Sequence, residues 1–364
     1  MAIVYIYPFT RSPVYPFTRL PVHPFTRTPV HPKTMTTHHS IFIQRPEIID
    51  KINHFSGRGE PFLFAVDFTG ENGFVLSPED ADKYGLRYEI SGHKNYQKNI
   101  ALNPLVFELF PDSFETYKKA FDKVLFHLKR GDTYLLNLTF ATPLKVNLSL
   151  DQLFVNSSAP FKLFVPGSFV VFSPEAFVCI ANSRISSCPM KGTIDAAIPD
   201  AAQQLLSDEK EFFEHNTIVD LIRNDLAMVS TKVAVTRFRY IDRIHTNRGD
   251  LLQMSSEISG ELPPGYMNKM GEILFTLLPA GSVTGAPKKK TVEIIRETES
   301  YHRGFYTGIF GFFDGQSLTS AVSIRFIEQT ETGLVFKSGG GITALSDVEK
   351  EYEEMIKKIY VPVV

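Results

Sequence analysis

Hydrophobic residues along this chain fall into two kinds of run. Stretches rich in Phe, Val, Ile and Thr, bounded by Gly, Pro, Asp or Ser, predict strands over 61–68, 169–172, 177–181, 232–240, 306–313, 318–327 and 333–338. Apolar residues recurring at three and four positions predict helices over 114–129, 201–229, 266–277, 288–297 and 347–359. The strands cluster and the helices interrupt them irregularly, which argues an α+β fold rather than a βαβ repeat. No linker breaks the pattern from about Ser40 onward, so residues 36–364 read as one domain.

Residues 1–35 follow a different rule. YPFTRSPV from Tyr7 returns as YPFTRLPV from Tyr15 and HPFTRTPV from His23, then decays into HPKT from His31. Recurrent proline removes backbone donors and blocks both helix and central strand, so this octapeptide repeat is expected to be extended and unpacked. It reads as a disordered or non-native extension, with Met35 as a possible start; a Pro-rich docking ligand is the alternative.

Composition narrows the function classes. With 43% apolar and 21% charged residues the chain can bury one large core, and a net charge of -2 gives no reason to expect a nucleic-acid partner. No run approaches the ~18 apolar residues of a membrane span. Cys179 and Cys188 are too few for a disulfide framework or a thiolate metal cage, and the start lacks a signal-peptide core, so a reducing, cytoplasmic setting is expected.

Two helical stretches carry carboxylates where apolar residues would serve better. In KEFFEHNTIVDLIRNDL, Glu211 and Glu214 share a face with Ile218, Leu221 and Ile222. A buried carboxylate is costly unless protonated, paired or bound to a cation. Near the C-terminus, Glu351, Glu354 and Lys358 form a stripe beside Tyr352, Met355, Ile356 and Ile359. A solvated helix end and an ordinary i,i+4 ion pair are the plain readings. Carboxylates from two helices, with no His or Cys cluster beside them, would suit a hard cation such as Mg²⁺.

Two glycine segments and a lysine add candidates. LLPAGSVTGAPKKK is not a Walker loop, because Gly281 and Gly285 are four apart and Ala286 and Pro287 precede Lys288; a carboxylate site at a helix N-terminus suits it better. KSGGGIT from Lys337 reads as a flexible turn that brings bare backbone close to a ligand. SPEAFVCIANSRISSCPMKGTI places Glu175 and Lys191 on either side of an expected hairpin. Lys191 is a nucleophile if desolvated and an ordinary turn lysine otherwise.

Taken in order, these segments resemble the chorismate-utilising enzymes: SPE ending at Glu175, PMKGT around Lys191, EFFEHNTIVDLIRND, LLPAGSVTGAPK, RGFYTG from Arg303, AVSIR ending at Arg325, and GGGITALSDVEKEYEE from Gly339. The resemblance covers roughly Gly131 to the C-terminus. It implies one large domain of two mostly antiparallel sheets packed together with helices outside. It also implies roles. Glu214 and Glu354 would be direct Mg²⁺ ligands, with Glu211 and Glu351 completing the acidic shell. Tyr306, Arg325 and Lys358 would hold the carboxylates of chorismate, helped by the backbone of Gly340 and Gly341, while Thr193, Thr284 and Lys288 would line the site. Glu175 would be the general acid and Lys191 the nucleophile.

Lysine at position 191 marks the members that aminate chorismate at C4, whereas anthranilate- and isochorismate-forming members typically carry Ala there. The resemblance therefore implies 4-amino-4-deoxychorismate as product, for 4-aminobenzoate and folate synthesis. No Cys-centred glutaminase region is present, so ammonia or a glutamine amidotransferase subunit would be the nitrogen source. Anthranilate synthase component I and a non-catalytic chorismate-binding subunit are the rivals. This chain departs from the family in having Gln253 where many members carry His, and Met355 where Thr is common.

Overall fold

Continuous apolar runs become fully buried strands: Phe62–Val66, Phe161–Val165, Phe169–Ser173 and Ile309–Phe313 have every residue buried. In a computed structural model of the chain the described residues are 41–97, 105–246 and 249–362, leaving aside the side chains of 210 and 244–249. The octapeptide repeat lies outside them. Strands within 42–362 assemble into two sheets, and the pairings are antiparallel.

The first sheet runs in spatial order Ile43–Gln44, Asn72–Leu76, Phe62–Val66, Ile309–Phe313, Leu318–Val322, Ala176–Ala181, Arg184–Ser187, Gly249–Glu261 and Met190–Asp195, with Thr231–Thr246 also on Gly249–Glu261. The second runs Gly285–Ala286, Leu135–Val146, Gly333–Ile342, Phe326–Thr330, Phe169–Ser173, Phe161–Val165, Arg87–Ile90 and His93–Lys94, with Phe107–Leu109 on Leu135–Val146. Helices Arg45–Arg58, Glu209–Ala227 and Met270–Thr276 share a core with the first sheet, including Ile52, Ile218, Ile222, Leu274 and Phe313. Phe114–Arg130, Lys288–Thr298 and Val348–Lys357 cover the second through Phe121, Ile294, Met355 and Leu136.

Several expectations change on inspection. The run over 201–229 is two helices, Ala201–Ser207 and Glu209–Ala227, because the Asp208 carboxylate accepts from Glu211 N–H and caps a new start. The run over 318–327 divides between the two sheets at Arg325, which sits at a left-handed φ of 56°. The run expected from Tyr306 becomes strand only at Ile309. KSGGGIT is no turn: Gly333–Ile342 pairs with Leu135–Val146 from Leu334 to Ile342. A Cβ at Gly339 would lie 2.3 Å from Leu138 O, so glycine serves close strand approach there.

Candidate active site

Hairpin Ala176–Ala181/Arg184–Ser187 carries the chain from Glu175 to Lys191, as its flanking turn residues suggest. Glu175 is half-buried; its N–H donates to Ser173 Oγ (3.1 Å) and its carbonyl accepts from Val322 N–H (3.1 Å), so the backbone under the carboxyl is fixed at both ends. Glu175, Ser187 and Pro189 line one small pocket, which puts the acid at the hairpin end where Met190–Asp195 begins.

Lys191 itself lies in that strand opposite Met254, followed by a bulge at Gly192 with φ 70°. Glycine suits the bulge, because its φ is strained for other residues and a Cβ would stand 2.7 Å from Leu205 Cδ1 and 3.2 Å from Glu211 Oε2. Beyond it, Gly192, Thr193, Gln204, Asp208 and Glu211 border an open polar pocket of about 340 Å³. Thr193 is exposed and pairs with Gln253, which lies in strand Gly249–Glu261.

His215, absent from the residues singled out by sequence, is fully buried one position after Glu214. Burial, with the cations Arg239 and Lys191 nearby, pushes the ring down to about 4, so it is neutral at pH 7. Ser256 Oγ accepts from Arg239 N–H (2.9 Å) and lies 2.6 Å from His215 Nε2, a hydrogen bond whose direction follows the ring tautomer. Nδ1 has no partner. The signal was available, since His215 falls four residues after Glu211 on the inward side of the helix.

Glu211 and Glu214 are half-buried on Glu209–Ala227, which packs against the first sheet. Glu351 and Glu354 lie on Val348–Lys357, which packs against Gly333–Ile342 of the second. Glu351 is buried and accepts from Ser346 Oγ (2.8 Å); Glu354 is exposed and meets Lys358 Nζ at 2.7 Å. The donor chemistry is that of a hard-cation site. Among the described residues, however, no three His, Cys, Asp or Glu side chains converge into a preformed metal centre.

The remaining predicted residues divide. Lys358 donates to Gly339 O (3.1 Å), and a Cβ on Gly340 would meet Glu351 Oε2 at 3.4 Å and Lys358 Nζ at 3.6 Å, so these three form one neighbourhood beside Gly341. Arg325 lies with its guanidinium 5.0 Å over the Tyr360 ring. Tyr306 is buried, and burial raises its phenol pKa while Arg303 opposes that rise. Thr284 and Lys288 are engaged within the protein: Thr284 is fully buried and donates to Ala280 O (2.8 Å), and Lys288 Nζ is tied to Asp225 (2.7 Å) and Leu277 O (2.7 Å). Burial lowers the lysine and raises the aspartate, each offset by the other. Asp225, the partner of Lys288, lines the same pocket as Glu175.

Comparison with known proteins accords with this layout. Residues 77–363 match the chorismate binding enzyme family. An uncharacterized PabA-like protein of Pasteurella multocida is 50% identical over 317 residues, covering 86% of this chain and 98% of its own. Aminodeoxychorismate synthase component 1 of Bacillus subtilis is 30% identical over 265 residues, 69% of this chain and 52% of its own, so the chain spans about half of that relative. Among solved structures, anthranilate synthase component I of Streptococcus pneumoniae has a TM-score of 0.60 at 26% identity, covering 72% of this chain and 60% of its own. The menaquinone-specific isochorismate synthase of Escherichia coli shares the fold, with a TM-score of 0.66 at 17% identity over 86% and 80% of the two chains. The chain belongs to the chorismate-binding enzymes.

Proposed function

We propose that this enzyme aminates chorismate at C4 to give 4-amino-4-deoxychorismate, feeding 4-aminobenzoate and folate synthesis. Lys191 carries the reading: an amine held in a paired strand by a glycine bulge, at the hairpin end where Glu175 stands. In the proposed sequence the Lys191 amine bonds to ring C2, both conjugated ring double bonds shift toward C4, and the C4 hydroxyl leaves as water with a proton from Glu175. Ammonia then bonds to C4, the electrons return, and the C2–nitrogen bond to Lys191 breaks. Glu175 takes the surplus proton, so one ammonia is gained and one water lost. Arg325, Lys358 and Tyr306 would hold the two carboxylates, and the open polar pocket is lined by Gly192 and Thr193, the residues that follow Lys191.

Ammonia would come from free ammonium or a separate glutamine amidotransferase subunit. Magnesium is proposed as the cation that Glu211, Glu214, Glu351 and Glu354 would share, on the strength of their hard-oxygen chemistry. The test is to incubate the protein with chorismate, Mg²⁺ and ammonium and identify the product by mass. Anthranilate or isochorismate as main product would overturn the reading. Lys191→Ala should lose more than the ~100-fold of a missing proton-transfer group while chorismate binding persists; amination near the wild-type rate would remove Lys191 from the mechanism.

A further inference from the structure

Two buried polar atoms at one place in the second sheet have no hydrogen-bond partner: Arg325 Nε and Ser338 Oγ. The antiparallel ladder between Phe326–Thr330 and Gly333–Ile342 ends at the pair Phe326–Lys337. Just beyond that end come Arg325, the residue before the strand begins, and Ser338, which goes on to pair with Phe140. The Arg325 carbonyl accepts from Phe172 N–H (3.1 Å), which keeps this end of the strand in the sheet despite its left-handed φ of 56°. Side chains two apart along a strand share a face. Ser338 therefore faces the same side as Gly340, where Lys358 Nζ would stand 3.6 Å from an added Cβ. Ser338 is only 3% exposed.

We propose that Ser338 is a substrate-binding residue, its hydroxyl donating together with Arg325 Nε–H to one carboxylate of the dianionic substrate. Arg325 can only donate and the Ser338 hydroxyl is free to do so, so one acceptor with two oxygens satisfies both. Leaving buried donors unmade destabilises the free protein, an arrangement that calls for a ligand or water to supply the acceptor. Lys358 on the same face is paired with Glu354 and stands beside Glu351, so the charge that favours an anion over water is that of Arg325 itself. The proposal rests on the functional reading above for the identity of the substrate, and it adds a residue which that reading does not use.

Equilibrium dialysis of chorismate without ammonium separates the two. Ser338→Ala should weaken chorismate binding about tenfold, since hydrogen bonds to charged groups are the stronger kind. The ligand-free variant should melt at or above the wild-type temperature, because an orphaned hydroxyl has been removed. In turnover, KM should rise with kcat less affected. Unchanged chorismate affinity in the variant, with wild-type binding intact, would overturn the proposal alone and leave the hydroxyl to water. Weaker binding accompanied by a lower ligand-free melting temperature would also overturn it, as the mark of a structural role. Wild-type protein that fails to bind chorismate would remove the functional reading, and this assignment with it.

Discussion

Arg303 offers the sharpest test of how the site is held. Its guanidinium and the Glu299 carboxylate are each 2% exposed, joined by contacts of 2.9 Å (Nε–Oε2) and 2.6 Å (Nη2–Oε1). The same guanidinium donates to Val283 O (3.0 Å), Asn137 O (2.6 Å) and Thr307 Oγ1 (3.3 Å), and lies over the Phe68 ring. It therefore ties the segment bearing Thr284, the strand Leu135–Val146 and the loop bearing Tyr306 to one point. Arg303→Met keeps much of the volume but leaves Glu299 charged and buried, with Thr139 still donating through its N–H (2.9 Å) and hydroxyl (2.8 Å). Removing one partner of such a pair costs about 3–5 kcal/mol. With a urea slope of about 3 kcal/mol/M, a loss of about 4 kcal/mol lowers the midpoint by about 1 M. Far-UV circular dichroism is the suitable probe, as the chain has no Trp. Adding Glu299→Gln should recover part of the loss by removing the stranded charge. A single variant within about 1 kcal/mol of wild type, or a double variant no better than the single, would refute the reasoning.

Other outcomes follow from the same geometry. Tyr360→Ala should weaken chorismate binding roughly threefold by removing a ring worth about 0.5–1 kcal/mol to Arg325, and Tyr360→Phe should restore it; dialysis distinguishes these, and an inert Tyr360→Ala would show the stacking to be idle. Gly339→Ala should lower the melting temperature, as a Cβ 2.3 Å from Leu138 O forces the strands apart at a cost of about 1–3 kcal/mol. His215 has a folded-state pKa of about 4, below its unfolded value, so the unfolded chain binds the extra proton. Its contribution is present above about pH 6.5 and is lost as pH falls toward 4, by up to about 3 kcal/mol. His215→Gln should flatten the stability profile in that window, and an unchanged slope in urea titrations would contradict the assignment.

What could be read from residue patterns was element type wherever a face is apolar. The helices Phe114–Arg130, Lys288–Thr298 and Val348–Lys357 were legible because each turns a regular stripe toward Leu136 and its neighbours. Partnership was not legible. Alternation says which face of Leu318–Val322 and Phe326–Thr330 is buried, but nothing in it reveals that the chain changes sheets between them at Arg325. Glycines 339–341 suggested a turn because a missing side chain removes the pattern, whereas the need for glycine lies in the approach of Leu138. The site shows the same division. The order of motifs identified the family from residues alone, while His215 and Ser338 emerged only when burial and missing partners could be seen.

That contrast has a physical basis in how a fold tolerates a binding site. Buried donors without acceptors, a left-handed arginine and a strand of three bare glycines all run against stability, and each departs from what local preference would choose. They gather at one end of a ladder, Arg325 and Ser338 flanking its last pair and Gly340 two residues beyond Ser338 beside Lys358. Around them the structure is tightly determined: Leu334 to Ile342 pairs continuously with Leu144 to Leu136, and Phe172 N–H anchors the Arg325 carbonyl. Each unmade buried hydrogen bond costs about 1–3 kcal/mol, a large fraction of ordinary domain stability. A ligand that supplies the missing acceptors recovers that cost only in the bound state. If Ser338 and Arg325 bind a carboxylate as proposed, binding rather than folding is the event that completes the hydrogen bonding at this end of the sheet.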